Sequence, residues 1–228
     1  MNSLKLYVAL VAVLVMASSA FGNATDELFG VLSDGKFTLK QVQSLVNDGA
    51  DVNAKDNTSH TPLMYVSNYC ESPEQLDVVK FLLESGADVN AKDKGGNTAL
   101  MFASISSLVD VMKTLIDAGA EVEARNDKGH TPLRLNFTMF PTVGAVNLLI
   151  KAGANVNSTD NSGVTSLMAV ARLMSMRSVI GEKQIDIEVV KALISAGADP
   201  SMKDRKGKTL WDYARNDEVK QALREVIR

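Results

Sequence analysis

The sequence predicts an all-α repeat solenoid, because two short phrases recur along it in a fixed order. The first phrase is Gly-Ala followed by a polar residue, and it begins at Gly49, Gly86, Gly119, Gly153 and Gly197. The second phrase opens with a threonine, at Thr61, Thr98, Thr131, Thr165 and Thr209. A copy of about 33 residues is too short to enclose a core alone, so each copy must stack on its neighbours.

The segment before each threonine is predicted to be a tight turn. An Asp or Asn stands five residues before the threonine in every copy: Asp56, Asp93, Asn126, Asp160 and Asp204. A glycine stands two residues before it in four copies, and Ser59 takes that place in the other copy. Turns favour these residues, because short polar side chains bond the nearby backbone and glycine accepts positive φ. The threonine is placed to cap the helix that follows.

Two helices are predicted after each turn. The second helix carries apolar residues at i, i+3, i+6 and i+7, which form one helical face. The first of these positions is held by Leu39, Leu76, Val109, Val143 and Ile187. The next is held by Val42, Val79, Met112, Val146 and Val190. The glycine of Gly-Ala is then expected to end the helix in the left-handed conformation.

This combination, Asp-x-x-Gly-x-Thr-Pro-Leu at a period near 33, resembles the ankyrin-repeat family. The resemblance covers about residues 25–228 and implies about six repeats, each with two antiparallel helices and a β-hairpin tip. The expected repeats are 25–55, 56–92, 93–125, 126–159, 160–203 and 204–228. The first and last are expected to be capping repeats, because the first lacks Thr-Pro-Leu and the final helix is rich in charge.

The chain departs from the family pattern after Thr-Pro-Leu, where the family often has a histidine that bonds the adjacent loop. This position holds Met64, Met101, Arg134, Met168 and Asp212. We therefore expect some hydrogen bonds between repeats to be missing and local stability to be lower.

The N-terminal segment differs from the rest of the chain. Lys5 is the only charged residue before Asp26, Leu6–Ala17 is an unbroken apolar run, and Ser18–Ala20 are small. This layout predicts a signal peptide over residues 1–20, with the cut between 20 and 24. The alternative is a retained membrane anchor, but the run is shorter than the ~20 residues that span a bilayer. We expect a periplasmic or secreted protein with no membrane span after cleavage.

Composition excludes several classes of function. The formal net charge of −3 and the 5% aromatic content argue against nucleic-acid binding. One cysteine, Cys70, permits neither an intramolecular disulfide nor a cysteine metal cluster. The histidines, His60 and His130, are expected to be exposed tip residues that share no metal. The sequence holds no catalytic motif, so we expect a non-enzymatic protein without cofactors.

The resemblance implies that the tips and the concave face of the first helices contact a protein partner. The residues mapped to these positions, with the insertion of the fifth repeat, are Tyr69, His60, Lys94, Asn97, Ile105, Lys128, His130, Met139, Arg172, Leu173, Met174, Met176, Arg205 and Lys206. Tyr69 is the best anchor candidate, because aromatic residues dominate interface energetics.

The insertion between Arg172 and Asp186 allows two interpretations. It is either a longer helix that buries its apolar residues on its neighbours, or an adaptable contact rich in methionine.

The resulting functional prediction is a monomeric scaffold that binds another protein in the periplasm or outside the cell. Three alternatives stay open: an inhibitor or immunity-like protein with a single target, an accessory factor in envelope oxidative stress, and a secreted host-directed effector. The fold does not choose among them, since repeat scaffolds serve unrelated partners.

Overall fold

The computed structural model of the chain describes residues 24–68, 72–138, 141–177 and 184–227. The predicted signal peptide lies outside these ranges, as do Tyr69, Cys70 and Met139. The described residues form helices and turns, and the β-contact found among them is an isolated antiparallel bridge between Thr159 and Thr165. The prediction of an all-α fold is therefore confirmed.

The helices follow one another in pairs. Their bounds are α1 (residues 24–33), α2 (Leu39–Asn47), α3 (Pro62–Val66), α4 (Gln75–Glu84), α5 (Ala99–Ile105), α6 (Val109–Asp117), α7 (Pro132–Asn136), α8 (Val143–Lys151), α9 (Ser166–Arg177), α10 (Gln184–Ser195), α11 (Leu210–Tyr213) and α12 (Asp217–Ile227). The chain divides into two compact units, with the boundary between Asp88 and Val89.

In the first unit, α4 packs against α2 and α3. The core of this unit is apolar and includes Leu28, Val42, Leu63, Val79 and Leu82, all fully buried. In the second unit the first helices of successive pairs contact one another in the order α5, α7, α9 and α11. The second helices do the same in the order α6, α8, α10 and α12. Each apolar face is thus completed by the next pair, as expected for a repeat.

The predicted apolar face of the second helices is confirmed, although its first position is less deeply buried than the i+3 position. Fully buried residues occupy the i+3 position, namely Val42, Val79, Met112, Val146 and Val190. The preceding position lies at the edge of the face, and its Val109 is 36% exposed. The difference arises because a short helix buries a narrower stripe than its apolar pattern suggests.

The tips, defined as residues 56–60, 93–97, 126–130, 160–164 and 204–208, share one hydrogen-bond pattern. In each, the Oδ1 atom of the leading Asp or Asn accepts from the backbone N–H groups two and four residues later, at 2.7–3.0 Å. The backbone N–H of the same residue donates to the carbonyl four residues later. The expected β-hairpins are therefore five-residue turns, and paired strands are not found in the described residues.

The tips of the second unit are also joined to one another. The backbone N–H of Asp127 donates to the carbonyl of Gly95 at 2.9 Å, and Asn161 donates to Lys128 at 3.0 Å. Arg205 continues the series by donating to Ser162 at 3.0 Å. Because one backbone hydrogen bond links each of these tips to the next, the distance between the backbones of successive tips is fixed.

The threonine caps are confirmed in most pairs. The hydroxyls of Thr61, Thr131 and Thr165 accept from the backbone N–H three residues later, at 3.3–3.4 Å. Thr98 is an exception, because its buried hydroxyl has no hydrogen-bond partner among the described residues. In the last pair the acceptor is the Asp212 carboxylate, which receives the Thr209 backbone N–H at 2.7 Å.

An asparagine at the end of the Gly-Ala phrase links successive pairs, a role that the sequence analysis did not assign. Asn53 donates from Nδ2 to the Gly86 carbonyl at 2.9 Å and accepts at Oδ1 from the Asp88 N–H at 2.7 Å. The same pair of bonds recurs at Asn90 and Asn157. Each such asparagine satisfies backbone groups at the end of a neighbouring helix.

The left-handed glycines are confirmed, and two of them allow a matched test. Gly163 has φ +81°, and a Cβ there would lie 2.8 Å from the Arg205 nitrogen. Gly197 has φ +89°, but a Cβ there would meet nothing within 4 Å. Gly197→Ala is expected to lower the free energy of unfolding by about 1 kcal/mol, from backbone strain alone. Gly163→Ala is expected to cost at least about 2 kcal/mol, because the next tip must also move away.

Urea unfolding of the two variants, followed by circular dichroism, measures this difference. Equal losses at the two positions would show that the tips are not in contact as described.

Candidate binding groove

A groove of about 540 Å³ lies in the second unit, between its tips and its first helices. Its basic lining residues are Arg134, Arg172, Arg205, Lys206 and Lys208. Its acidic lining residues are Asp160 and Asp204. The remainder of the lining is His130, Asn161, Ser162, Val164 and Tyr213. We call this feature the basic groove.

Arg134 is a buried cation in the wall of the basic groove. It follows Thr131 by three residues at the start of α7, and its residue is only 5% exposed. Its Nη2 lies 3.4 Å from the Asp160 Oδ2, which belongs to the next tip. Burial lowers the pKa of this guanidinium and the nearby Asp160 carboxylate opposes that shift. The expected loss of a contact to the neighbouring tip is therefore wrong here, because arginine restores that contact.

His130 joins the same carboxylate. Its Nε2 lies 3.5 Å from the Asp160 Oδ2, and its side chain is 20% exposed. The expectation that both histidines are exposed is wrong, since His60 is also only 30% exposed. Burial, together with the positive charge of Arg134, lowers the pKa of His130, while Asp160 acts in the opposite direction. The neutral form of the imidazole is therefore favoured.

Asp204 is occupied in a similar way. Its Oδ1 accepts the backbone N–H groups of Lys206 and Lys208, both at 2.8 Å, and its Oδ2 accepts the Tyr213 hydroxyl at 2.8 Å. Although burial by itself raises it, these hydrogen bonds hold the pKa of Asp204 below its usual range. Burial and the bond to Asp204 raise the pKa of Tyr213 to about 12. Both carboxylates of the groove are therefore engaged within the fold.

The remaining cations of the groove are exposed. Arg172 lies on α9, and Arg205, Lys206 and Lys208 lie on one tip. None of the four has an ion pair within the described parts of the chain, whereas Lys113 and Lys191 pair with carboxylates on their own helices. The basic groove thus presents unsatisfied positive charge to solvent.

The structure separates the other predicted binding residues into accessible and structural ones. Lys94, Lys128 and Met176 are exposed, and Met176 reaches 64%. Asn97 is instead committed to hydrogen bonds within and between tips, because it donates to Asp93 of its own tip and accepts from Asn126 of the next, at 2.8–2.9 Å. Ile105 packs against a cluster of Met101, Ala124 and Leu135.

The insertion of the predicted fifth repeat extends a helix, in part as the first interpretation expects. Helix α9 runs to Arg177 and buries Met174 to 6% exposure, while Leu173 is half-buried. Met174 therefore packs in the interior of the protein and is not accessible to a partner. Residues 178–183 lie outside the described ranges.

The tip of residues 56–60 holds a second polar cluster, in the first unit. The Asp56 Oδ2 accepts the Tyr65 hydroxyl at 2.8 Å, and its Oδ1 accepts the Thr58 hydroxyl at 2.7 Å. The His60 ring lies edge-on to Tyr65 with centroids 5.7 Å apart. Although burial by itself raises it, these hydrogen bonds hold the pKa of Asp56 well below its usual range.

A comparison with protein families now identifies this architecture. A model of three ankyrin repeats matches residues 31–126. The chain contains ankyrin repeats. Ankyrin repeats generally mediate protein–protein interactions and the family is typically non-enzymatic. No curated protein matches the chain.

The described ranges of this chain lack two kinds of feature. They contain no group of three or more His, Cys, Asp or Glu side chains that could hold a metal ion. They also contain no helix that is both long and apolar enough to cross a membrane.

The contact between Arg134 and Asp160 can be tested by removing its negative charge. Asp160→Asn keeps an acceptor for the tip, as Asn126 does in the preceding tip, but leaves Arg134 buried without a counter-charge. We expect the free energy of unfolding to fall by about 3 kcal/mol. Adding Arg134→Met is expected to recover most of this loss, because Met64, Met101 and Met168 are buried at the equivalent position.

Denaturant unfolding of the single and double variants makes this comparison. If Arg134→Met does not recover stability in the Asp160→Asn background, the pairing is not the source of the loss.

The tip of residues 56–60 is expected to make stability depend on acid pH. Because the folded pKa of Asp56 lies well below its unfolded value of 3.8, its contribution is complete above pH 3.8 and is lost as the pH falls further. Asp56→Asn is expected to cost roughly 1–2 kcal/mol at neutral pH. The difference from the parent protein should shrink as the pH drops from 4 to 2.

Chemical unfolding across this pH range measures that difference. Glu84→Gln removes an exposed carboxylate from the same unit and serves as the control. A difference for Asp56→Asn that stays constant down to pH 2 would contradict the role of its charge.

Proposed function

We propose that this ankyrin-repeat protein is a non-enzymatic scaffold that binds another protein through the basic groove. The observation that carries the proposal is the set of four exposed cations, Arg172, Arg205, Lys206 and Lys208, with no ion pair in the described residues. Side chains at these positions make no ion pair in the described residues, and they gather where a segment of another chain can contact several at once. Such a concentration of unused polar groups is typical of a recognition surface.

The chemistry of the groove supports binding more than catalysis. The groups that would serve as acids or bases are already engaged, since Asp160 contacts Arg134 and His130 and Asp204 accepts from Tyr213. A general base must be within reach of a substrate proton and free to take it. Here the carboxylates instead fix two tips, and the tip fixed by Asp204 carries Arg205, Lys206 and Lys208.

We further propose that the ankyrin array extends beyond residue 126 and comprises six repeats. The tips at 160–164 and 204–208 support this, because they have the same Asp-centred hydrogen bonds as the tips inside the matched region. The successive stacking of α7 on α5, α9 on α7 and α11 on α9 supports the same extension.

The scaffold is proposed to act as a monomer outside the cytoplasm, in the periplasm or the medium. Support comes from the N-terminal sequence, in which Lys5 precedes the apolar run Leu6–Ala17 and the small residues Ser18–Ala20. That order is the one that export signals use.

Position-specific photo-crosslinking tests the binding face. A photoreactive residue is placed at Ser162, which lines the groove, or at Ser195, an exposed serine on α10 of the same unit. The chain from Phe21 onward is then exposed to envelope and secreted extracts of its own source. We expect one dominant crosslinked partner from Ser162 and none from Ser195, because only Ser162 faces the groove.

Crosslinking of equal strength from both serines, or none from Ser162, would contradict the placement of the binding face.

A further inference from the structure

The charge of the basic groove is opposite to that of the whole chain. The chain has a formal net charge of −3. The groove nevertheless brings together five cationic side chains and only two carboxylates. A local excess of one sign in a concave site attracts the opposite sign.

The two carboxylates of the groove offset only part of this excess, because five cationic side chains face two negative charges. Asp160 lies within 3.5 Å of both Arg134 and His130, and Asp204 accepts from Tyr213 and from two backbone N–H groups. Their oxygen atoms are therefore occupied by donors of the fold. The exposed cations have no comparable partner within the described residues.

Arg134 adds a cation that is incompletely satisfied. Its residue is 5% exposed, its bond to Asp160 is long at 3.4 Å, and its Nε has no hydrogen-bond partner in the described parts of the chain. A buried guanidinium prefers to use its whole fork of donors. An additional carboxylate near this wall of the groove would strengthen the local electrostatic balance.

The tip that carries three of the cations is fixed before any partner arrives. The backbone of Arg205 is bonded to Ser162, and the backbone N–H groups of Lys206 and Lys208 are bonded to Asp204. Since the backbone is already ordered, binding would restrict only the side chains. This pre-organisation lowers the entropic cost of association.

We propose that the basic groove binds an acidic segment of a partner protein, an extended stretch with several Asp or Glu residues. The carboxylates pair with Arg172, Arg205, Lys206 and Lys208. This inference rests on the proposed function and names the chemistry of the partner at the same site.

A nucleic acid fits the groove less well than an acidic segment. Tyr213 is the aromatic residue of the lining, and its hydroxyl is bonded to Asp204. Single-stranded nucleic acids are usually held by several stacked aromatic rings and a continuous basic track. The net charge of −3 for the whole chain also does not favour binding of a polyanion.

Fluorescence anisotropy with defined peptides tests this proposal on the chain from Phe21 onward. The probe is a labelled peptide of alternating Glu and Ser, and its control has Gln in place of every Glu. We expect saturable binding of the Glu peptide that weakens as salt rises, because the contacts are charged and solvent-exposed. The Gln peptide should not bind.

Charge-matched variants locate the binding. Arg205→Gln with Lys206→Gln removes two cations from the groove, while Lys151→Gln with Lys191→Gln removes two exposed cations from α8 and α10 of the same unit. The groove variant is expected to weaken binding of the Glu peptide at least about 10-fold, and the control variant by less than about 2-fold. Circular dichroism verifies that both variants are folded.

Three outcomes would overturn the acidic-segment proposal. They are equal weakening by the two variants, equal binding of the Glu and Gln peptides, and tighter binding of a labelled single-stranded DNA that displaces the Glu peptide. The photo-crosslink from Ser162 separates this failure from failure of the proposed function. A crosslink that persists in the Arg205→Gln, Lys206→Gln variant would keep the binding face and reject its acidic specificity.

Discussion

The hydrogen bonds that two backbone N–H groups donate to one side-chain oxygen underlie each of the five tips. In each tip the Oδ1 of an Asp or Asn fixes a five-residue turn. Because the turn is closed locally, the next helix begins at a defined residue, and its partner helix can complete the apolar face of the neighbouring pair. The second oxygen of the carboxylate is left for other contacts, such as Tyr65 with Asp56, Arg134 with Asp160 and Tyr213 with Asp204.

The fold was predictable from the sequence wherever the cause is local. Turn, cap and left-handed glycine each depend on residues a few positions apart, so Asp56, Thr61 and Gly197 indicated their roles directly. The links made by Asn53 and Asn157 were not predicted, because their partners lie 33 to 42 residues away. Spacing along the chain does not reveal which backbone groups a stacked neighbour leaves unpaired.

The groove was predictable only in its exposed part. Arg172, Arg205 and Lys206 occupy positions that the family resemblance assigns to the surface, and the structure places them together. The role of Arg134 was missed, because its value depends on Asp160 of the following tip coming within 3.4 Å. Tyr213 was missed for the same reason, because the sequence of a short helix does not indicate that its tyrosine hydroxyl donates to Asp204. The sequence feature that could have indicated the role of Arg134 was the arginine itself, which stands at a position where three other copies carry methionine.

The division of labour within each tip has a consequence for how such a protein can diversify. The turn needs one oxygen from its leading Asp or Asn and only backbone atoms from the residues at the apex. Replacing the side chains of Arg205 or Lys206 therefore leaves those backbone bonds intact. Substitutions at the apex can therefore change the affinity for a partner without changing the turn. Selection for recognition acts on the apex side chains, and selection for folding acts on the leading Asp or Asn and on the backbone.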